Sequence, residues 1–130
     1  MKKENVLSFI NAINASHFGR MQELMSTDHV FIDSQGHKTT GMDTLKKAWI
    51  QYFAMFPDYK IEVDEILEKD SLICVLGYAS GTYKNMTNRA NSNNWRIPAA
   101  WSAIVEDNRI KQWQVYADNI MVMEIVNRNK

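Results

Sequence analysis

Two periodicities divide the chain. Val6, Phe9, Ile10 and Ile13 recur at i, i+3, i+4 and i+7 within residues 3–16, with Leu7 and Ala12 beside them, and predict an amphipathic helix. Ala15, Ser16 and His17 break it. A second short helix follows, with Phe18, Met21, Leu24 and Met25 on one face, and is expected to end at Thr27 and Asp28. Val30, Phe31, Ile32 and Asp33 form a short strand, stopped by the turn sequence Ser34, Gln35, Gly36. Gly41 leads into a third helix over about residues 43–56. Its inner face holds Leu45, Ala48, Trp49, Tyr52 and Phe56, and Pro57 terminates it.

Beyond Pro57 the period becomes two. Tyr59, Ile61, Val63 and Glu65 face one way, and Lys60, Glu62, Asp64 and Ile66 the other. Residues 68–71 are a turn. Residues 72–83 are the next strand, and its unbroken apolar start predicts a central position covered on both faces. Residues 84–94 are polar, Asn-rich and aperiodic, as in a loop. The strongest alternation comes last. Trp95, Ile97, Ala99, Trp101, Ala103 and Val105 interleave with Arg96, Pro98, Ala100, Ser102, Ile104 and Glu106. A turn at 106–109 then returns the chain over 110–117, because Asp107 and Asn108 tolerate the left-handed backbone of hairpin turns. The tail 119–130 suits either a short helix or a continued strand.

Three helices ahead of four long antiparallel strands make an α+β fold in one domain, 1–130. The helices can cover only one face of the sheet. The other carries Pro98, Ala100, Ser102, Ile104, Gln112, Gln114 and Tyr116, and a mixed face of this kind predicts a homodimer formed through it. Fifteen basic and fifteen acidic residues cancel, which leaves no net field to attract nucleic acid. The single cysteine, Cys74, excludes an internal disulfide. No apolar run approaches a membrane span, and the N-terminus lacks a continuous signal core, so a cytoplasmic protein without membrane association is expected.

Five short segments, in order, carry a resemblance: VFID at 30–33, Gly41 before the third helix, FPD at 56–58, SGTY at 80–83 and WQVYADN at 113–119. Together they resemble the SnoaL-like branch of the nuclear transport factor 2 superfamily, over nearly the whole chain. The resemblance implies an NTF2-like (cystatin-like) cone, in which helices pack into a curved antiparallel sheet around an apolar cavity. It also implies a small apolar ligand. Superfamily members include ketosteroid isomerases, polyketide cyclases, dehydratases and proteins that only bind, so the fold leaves the function open.

Two carboxylates are candidates for acid–base chemistry. Asp33 stands where the isomerases carry their general base, and a dry position at a cavity lip would raise its pKa toward working pH. The alternative is an aspartate bonded to its own turn. Asp118 lies near the place where the cyclases carry an acid or base. Four residues rather than three separate it from Trp113, which on a regular strand puts the two on opposite faces. Its alternative is to cap a terminal helix. The isomerases' oxyanion donors do not carry over, since their places are taken by Phe9 and Trp101, and steroid isomerisation is disfavoured.

Phe9, Phe31, Trp49, Tyr52, Trp101 and Trp113 are candidates for lining a ligand cavity, against the alternative of plain core packing. His17, His29 and His37 lack metal-ligand spacing, and neither a metal nor a cofactor is expected. Nucleophile, phosphate-loop and dinucleotide motifs are missing. Two functions stay open: a cofactor-independent enzyme of isomerase, cyclase or lyase type that acts on a small apolar or carbonyl compound by acid–base chemistry through Asp33 and Asp118, or a ligand-binding or dimerisation module whose aspartates are structural.

Overall fold

The computed structural model describes residues 2–84 and 93–129. Most of the polar stretch expected as a loop, 84–94, therefore lies outside the described residues. The elements run α1 (Lys2–Asn14), α2 (Phe18–Leu24), β1 (Met25–Ile32), β2 (Lys38–Thr40), α3 (Met42–Met55), β3 (Lys60–Lys69), β4 (Leu72–Thr82), β5 (Asn94–Glu106), β6 (Arg109–Ala117) and α4 (Ile120–Arg128). The strands form one sheet in the order β2-β1-β6-β5-β4-β3. β1 runs parallel to β6, and every other neighbour is antiparallel. No described helix is long and apolar enough to cross a membrane.

α1 buries Val6, Phe9, Ile10, Ala12 and Ile13, the face that its periodicity predicts. His17 caps α2, its Nδ1 accepting the Arg20 N–H at 3.0 Å. α2 is shorter than expected, and β1 starts at Met25, directly behind it. The reason is tertiary: Met25 pairs with Ile110 and residues 30–32 pair with 112–114, so β6 draws this segment into the sheet. The short β2, which local sequence did not signal, forms because the turn after Asp33 folds Thr39 back opposite Phe31. Gly36, at φ 88°, supplies the left-handed residue of that turn. The tail resolves as a helix, with Val122, Ile125 and Val126 buried.

Two bulges shape the sheet. Val63 pairs with Gly77 and Glu65 with Leu76, which leaves Asp64 as an extra residue in β3. The alternation expected for this strand therefore holds only as far as Val63. Past the bulge it is Ile66, not Glu65, that lies against the core. Gly77 is required here, because a Cβ at that position would overlap the carbonyl oxygen of Glu62. On β6 the register steps from Ile104–Gln112 to Val105–Ile110. The step makes Lys111 the extra residue and lets Ile110 and Trp113 both turn inward.

The β5–β6 turn places Asp107 and Asn108 at φ 52° and 60°, the two left-handed residues of a type I′ hairpin. Along β5 the inward set is the expected one: Trp95, Ile97, Trp101, Ala103 and Val105 are buried. β4 is central, but the expectation that both its faces are covered fails within the monomer. Ile73 and Val75 are fully buried, whereas Leu72 and Leu76 are each 40% exposed on the opposite face.

Side-chain bonds tie the helices to the sheet. Asn14, at the end of α1, bonds both backbone groups of Ile61. Asp58 accepts the backbone N–H and the hydroxyl of Thr82, each at 2.7 Å, joining the FPD and SGTY segments. Asn119 donates to the Ser34 hydroxyl at 2.7 Å, joining the end of WQVYADN to the turn after β1. These short segments hold the cone together.

Candidate functional site

Helices and sheet leave between them a cavity of about 360 Å³. The sheet supplies its wall through strict alternation: Trp95, Ile97 and Trp101 from β5, and Trp113, Val115 and Ala117 from β6. α3 supplies Leu45, Ala48, Trp49 and Tyr52, spaced three and four apart as one face of a helix requires. Phe31, Tyr59 and Ala79 complete the apolar lining. Asp33, Ser34, Thr39 and Asn119 form a polar rim, gathered by the turn after β1 and the β6–α4 junction.

The rings interlock. Phe31 meets Trp49 edge-on at 5.3 Å, and Tyr52 meets Tyr59 at 5.0 Å. Trp95 packs against Phe56 at 5.4 Å and Tyr59 at 6.1 Å. Burial raises the pKa of the Tyr52 hydroxyl, and the Tyr59 phenol beside it raises it further. Burial raises that of Tyr59 as well, opposed by its hydrogen bond with Trp101. Both phenols are therefore neutral O–H groups at any ordinary pH. The indole N–H groups of Trp49 and Trp95 are buried and have no acceptor among the described residues.

Asp33 lines the cavity, as the sequence suggested, but its electrostatics run opposite to expectation. Its Oδ1 accepts the backbone N–H groups of Gln35 at 2.9 Å and His37 at 3.0 Å, and its Oδ2 lies 3.3 Å from His37 Nδ1. Burial pushes the carboxyl up. The two backbone donors and the His37 ring outweigh that push and hold its pKa below the ordinary carboxylate value. The turn alternative describes its bonding, and the expected raised pKa is corrected.

Asp118 is exposed and outside the lining. β6 stays regular beyond its bulge, so residues 113, 115 and 117 point inward and 118 points away. Asp118 Oδ1 accepts the N–H of Ile120, the first residue of α4, at 3.0 Å, while Asn119 holds the N-cap position without a side-chain bond to the helix. Asn119 takes the inward place at the rim instead. The two carboxylates are thus not brought together across the cavity.

Of the six aromatic candidates, Phe31, Trp49, Tyr52, Trp101 and Trp113 line the cavity. Phe9 does not. It is fully buried behind the wall, edge-on to Trp113 at 5.1 Å and 6.0 Å from His29. Sequence reasoning missed Tyr59, Trp95, Ser34, Thr39 and Asn119. Trp95 was recoverable, because it shares the parity of Trp101 on one strand; Thr39 and Asn119 depend on β2 and on the β6–α4 junction.

The three histidines have separate tasks. His17 caps α2, His37 pairs with Asp33, and His29 is buried with Nδ1 bonded to the Ile110 carbonyl at 2.7 Å. A carbonyl only accepts, so Nδ1 carries the His29 proton. Burial holds its pKa below the ordinary histidine value, against the opposing effects of that bond and of Asp28.

Residues 6–113 match the SnoaL-like domain family. No curated protein matches the chain. Among solved structures, a candidate SnoaL-like polyketide cyclase from Jannaschia sp. CCS1 superposes with a TM-score of 0.83 at 14% identity, covering 96% of this chain and 90% of that one. IdmH, a candidate polyketide cyclase from Streptomyces antibioticus, superposes with a TM-score of 0.80 at 18% identity, covering 98% and 99%. A protein with a ketosteroid isomerase-like fold from Catenulispora acidiphila DSM 44928, solved with trimethylamine, gives 0.75 at 16% identity, covering 87% and 84%. At such identities the likeness is one of fold.

Proposed function

Because the chain belongs to the SnoaL-like domain family, we propose that it binds a small, mostly apolar molecule inside its cone. The observation that carries this reading is the cavity of about 360 Å³, walled by aromatic and aliphatic side chains and rimmed by four polar ones. That combination of apolar bulk and few orienting groups is what a small-molecule site requires. Trp101 and Trp113 form its wall rather than fill it. Titration with naphthalene, followed by NMR, tests the proposal: the signals of Ala79, Ile97, Val115 and Ala117 are expected to shift together. Shifts confined to the outer sheet face, or none at all, would refute it.

A second reading, acid–base catalysis on the bound molecule, rests on the presence of Asp33 in the lining. It ranks second because a carboxyl held below its ordinary pKa is a weak base near neutral pH. Asp118 is exposed and outside the lining, and its carboxylate is bonded to the Ile120 N–H, so it weighs less than Asp33 in this reading. Steroid-type isomerisation is the least favoured chemistry, since Phe9 stands outside the lining and the Trp101 indole is engaged with Tyr59. If Asp33 is the base, Asp33→Asn abolishes turnover and leaves binding unchanged; turnover that survives the substitution removes this reading. Asp118→Asn, which spares the rim, reports separately on Asp118.

A further inference from the structure

The rim of the cavity has two unlike lips. Ser34 belongs to the turn after β1, which is bonded to itself. The Asp33 N–H donates to the His37 carbonyl and the Gly36 N–H to the Asp33 carbonyl, each at 3.0 Å. The Asp33 carboxylate accepts two further N–H groups of the same turn. That lip is rigid. Asn119 belongs to the other lip, the stretch 118–119 between β6 and α4, which has no regular structure.

Behind Asn119 comes the first turn of α4, and it is lightly held. Ile120 and Met121 are 64% and 51% exposed, whereas Val122, Ile125 and Val126 anchor the rest of the helix in the core. Segments with few buried contacts open at low free energy. Asn119 is also the N-cap of α4, yet its side chain makes no cap bond. An asparagine at that position ordinarily bonds to its own helix. Here the amide reaches across the rim instead, and its Nδ2 donates to the Ser34 Oγ at 2.7 Å. Both residues are half-buried and both line the cavity. The bond thus ties the loose lip to the rigid one.

Resting on the binding reading above, we infer that the Asn119–Ser34 bond is a latch, and that the first turn of α4 is a gate through which the ligand enters and leaves. With the latch made, the gate narrows the mouth of the cavity. When it breaks, residues 118–121 swing outward about the anchored part of α4. The latch sets how often the gate opens, and therefore how fast the ligand exchanges.

Naphthalene tests this, since it has no polar group that could lose a contact at Ser34 or Asn119. Its association and dissociation rates follow from the NMR line shapes of Ile97 and Val115 during titration. Ser34→Ala and Asn119→Ala should each speed both rates about fivefold, the worth of one net hydrogen bond. Ser34→Thr, which keeps the hydroxyl, should restore the wild-type rates. The Ser34→Ala, Asn119→Ala double variant should be no faster than either single one, because both remove the same bond. A further readout needs no ligand. The Met123 amide donates to the Asn119 carbonyl at 2.8 Å. In Ser34→Ala it should exchange with solvent about fivefold faster, while the Leu45 amide of α3 keeps its rate.

Unchanged rates in both single variants, factors that multiply in the double variant, or a Met123 amide that exchanges no faster would overturn the latch while leaving the cavity a binding site. A change confined to the dissociation rate would make the rim a ligand contact and overturn it too. Failure of naphthalene to bind wild-type protein would overturn the binding reading and the gate with it.

Discussion

Replacing Trp101 with alanine probes the wall and the core together. Trp101 is 1% exposed, one ring face lines the cavity, and its indole bonds to the Tyr59 hydroxyl. Truncating a buried tryptophan costs about 3–5 kcal/mol. The face turned to the cavity has few packing partners to lose, which argues for the lower end, about 3 kcal/mol. Loss of the donor to Tyr59 adds about 1 kcal/mol. At roughly 2.1 cal/mol/K per residue, a chain of 130 residues has an unfolding entropy of about 0.27 kcal/mol/K. A loss of about 4 kcal/mol then lowers Tm by about 15 °C. Trp101→Phe retains most of the packing and should lose less than half as much. Thermal melts followed by circular dichroism measure both. A Tm for Trp101→Ala within about 3 °C of wild type, under 1 kcal/mol on this scale, would show that the ring does not pack as described.

His29 sets an acid limit. Its folded pKa lies below the unfolded value of about 6.5, so the unfolded chain takes up the proton first. Stability therefore falls as pH drops below about 6.5, at up to about 1.4 kcal/mol per pH unit, until the folded pKa is reached. Denaturant melts of wild type and His29→Gln between pH 7 and 5 should show a shallower loss in the variant, and equal slopes would remove His29 as the cause. Gly77→Ala is expected to cost about 1–3 kcal/mol, since the added methyl meets the Glu62 backbone rather than a side chain that can yield; an unchanged melt would contradict the bulge. The outer sheet face exposes Leu67, Leu72, Leu76 and Tyr116 around Ala100 and Ile104, and a homodimer through it should bury more than about 1,000 Å². Light scattering should give twice the chain mass at micromolar protein, and Ile104→Asp should shift it to the monomer, whereas a monomeric wild type rules the dimer out.

Much of the architecture was legible in the order of residues because it depends on local physics. The i, i+3, i+4 spacing in α1 and α3, the alternation through 95–105 and the Asp-Asn turn each act over a few residues, and each forms where expected. The limits of this legibility are equally physical. The side-chain period of a strand is two, so one extra residue reverses everything after it. The bulges at Asp64 and Lys111 do this to β3 and β6, and each arises in pairing with the neighbouring strand of the same hairpin, β4 for the first and β5 for the second. Pairing with the distant β6 shortened α2, and the turn after Asp33 created β2.

The candidate site divides along the same line. Sequence pattern was enough to select Phe31, Trp49, Tyr52, Trp101 and Trp113, because each occupies the buried parity or face of its own element. It was not enough to separate Phe9 from them, since a side chain behind the wall and one in it share the same pattern. Nor did it settle the aspartates. Asp33 could be dry and basic or bound to its turn, and only the fold, by placing the Gln35 and His37 N–H groups on its carboxylate, decided between them. Asp118 and Asn119 are adjacent letters of one segment, yet the junction between β6 and α4 leaves the first in solvent and the second at the cavity rim. The sequence by itself determined which residues are available to build a cavity; the tertiary structure decided which of them face it, because facing depends on strand register and on hydrogen bonds made across long stretches of chain.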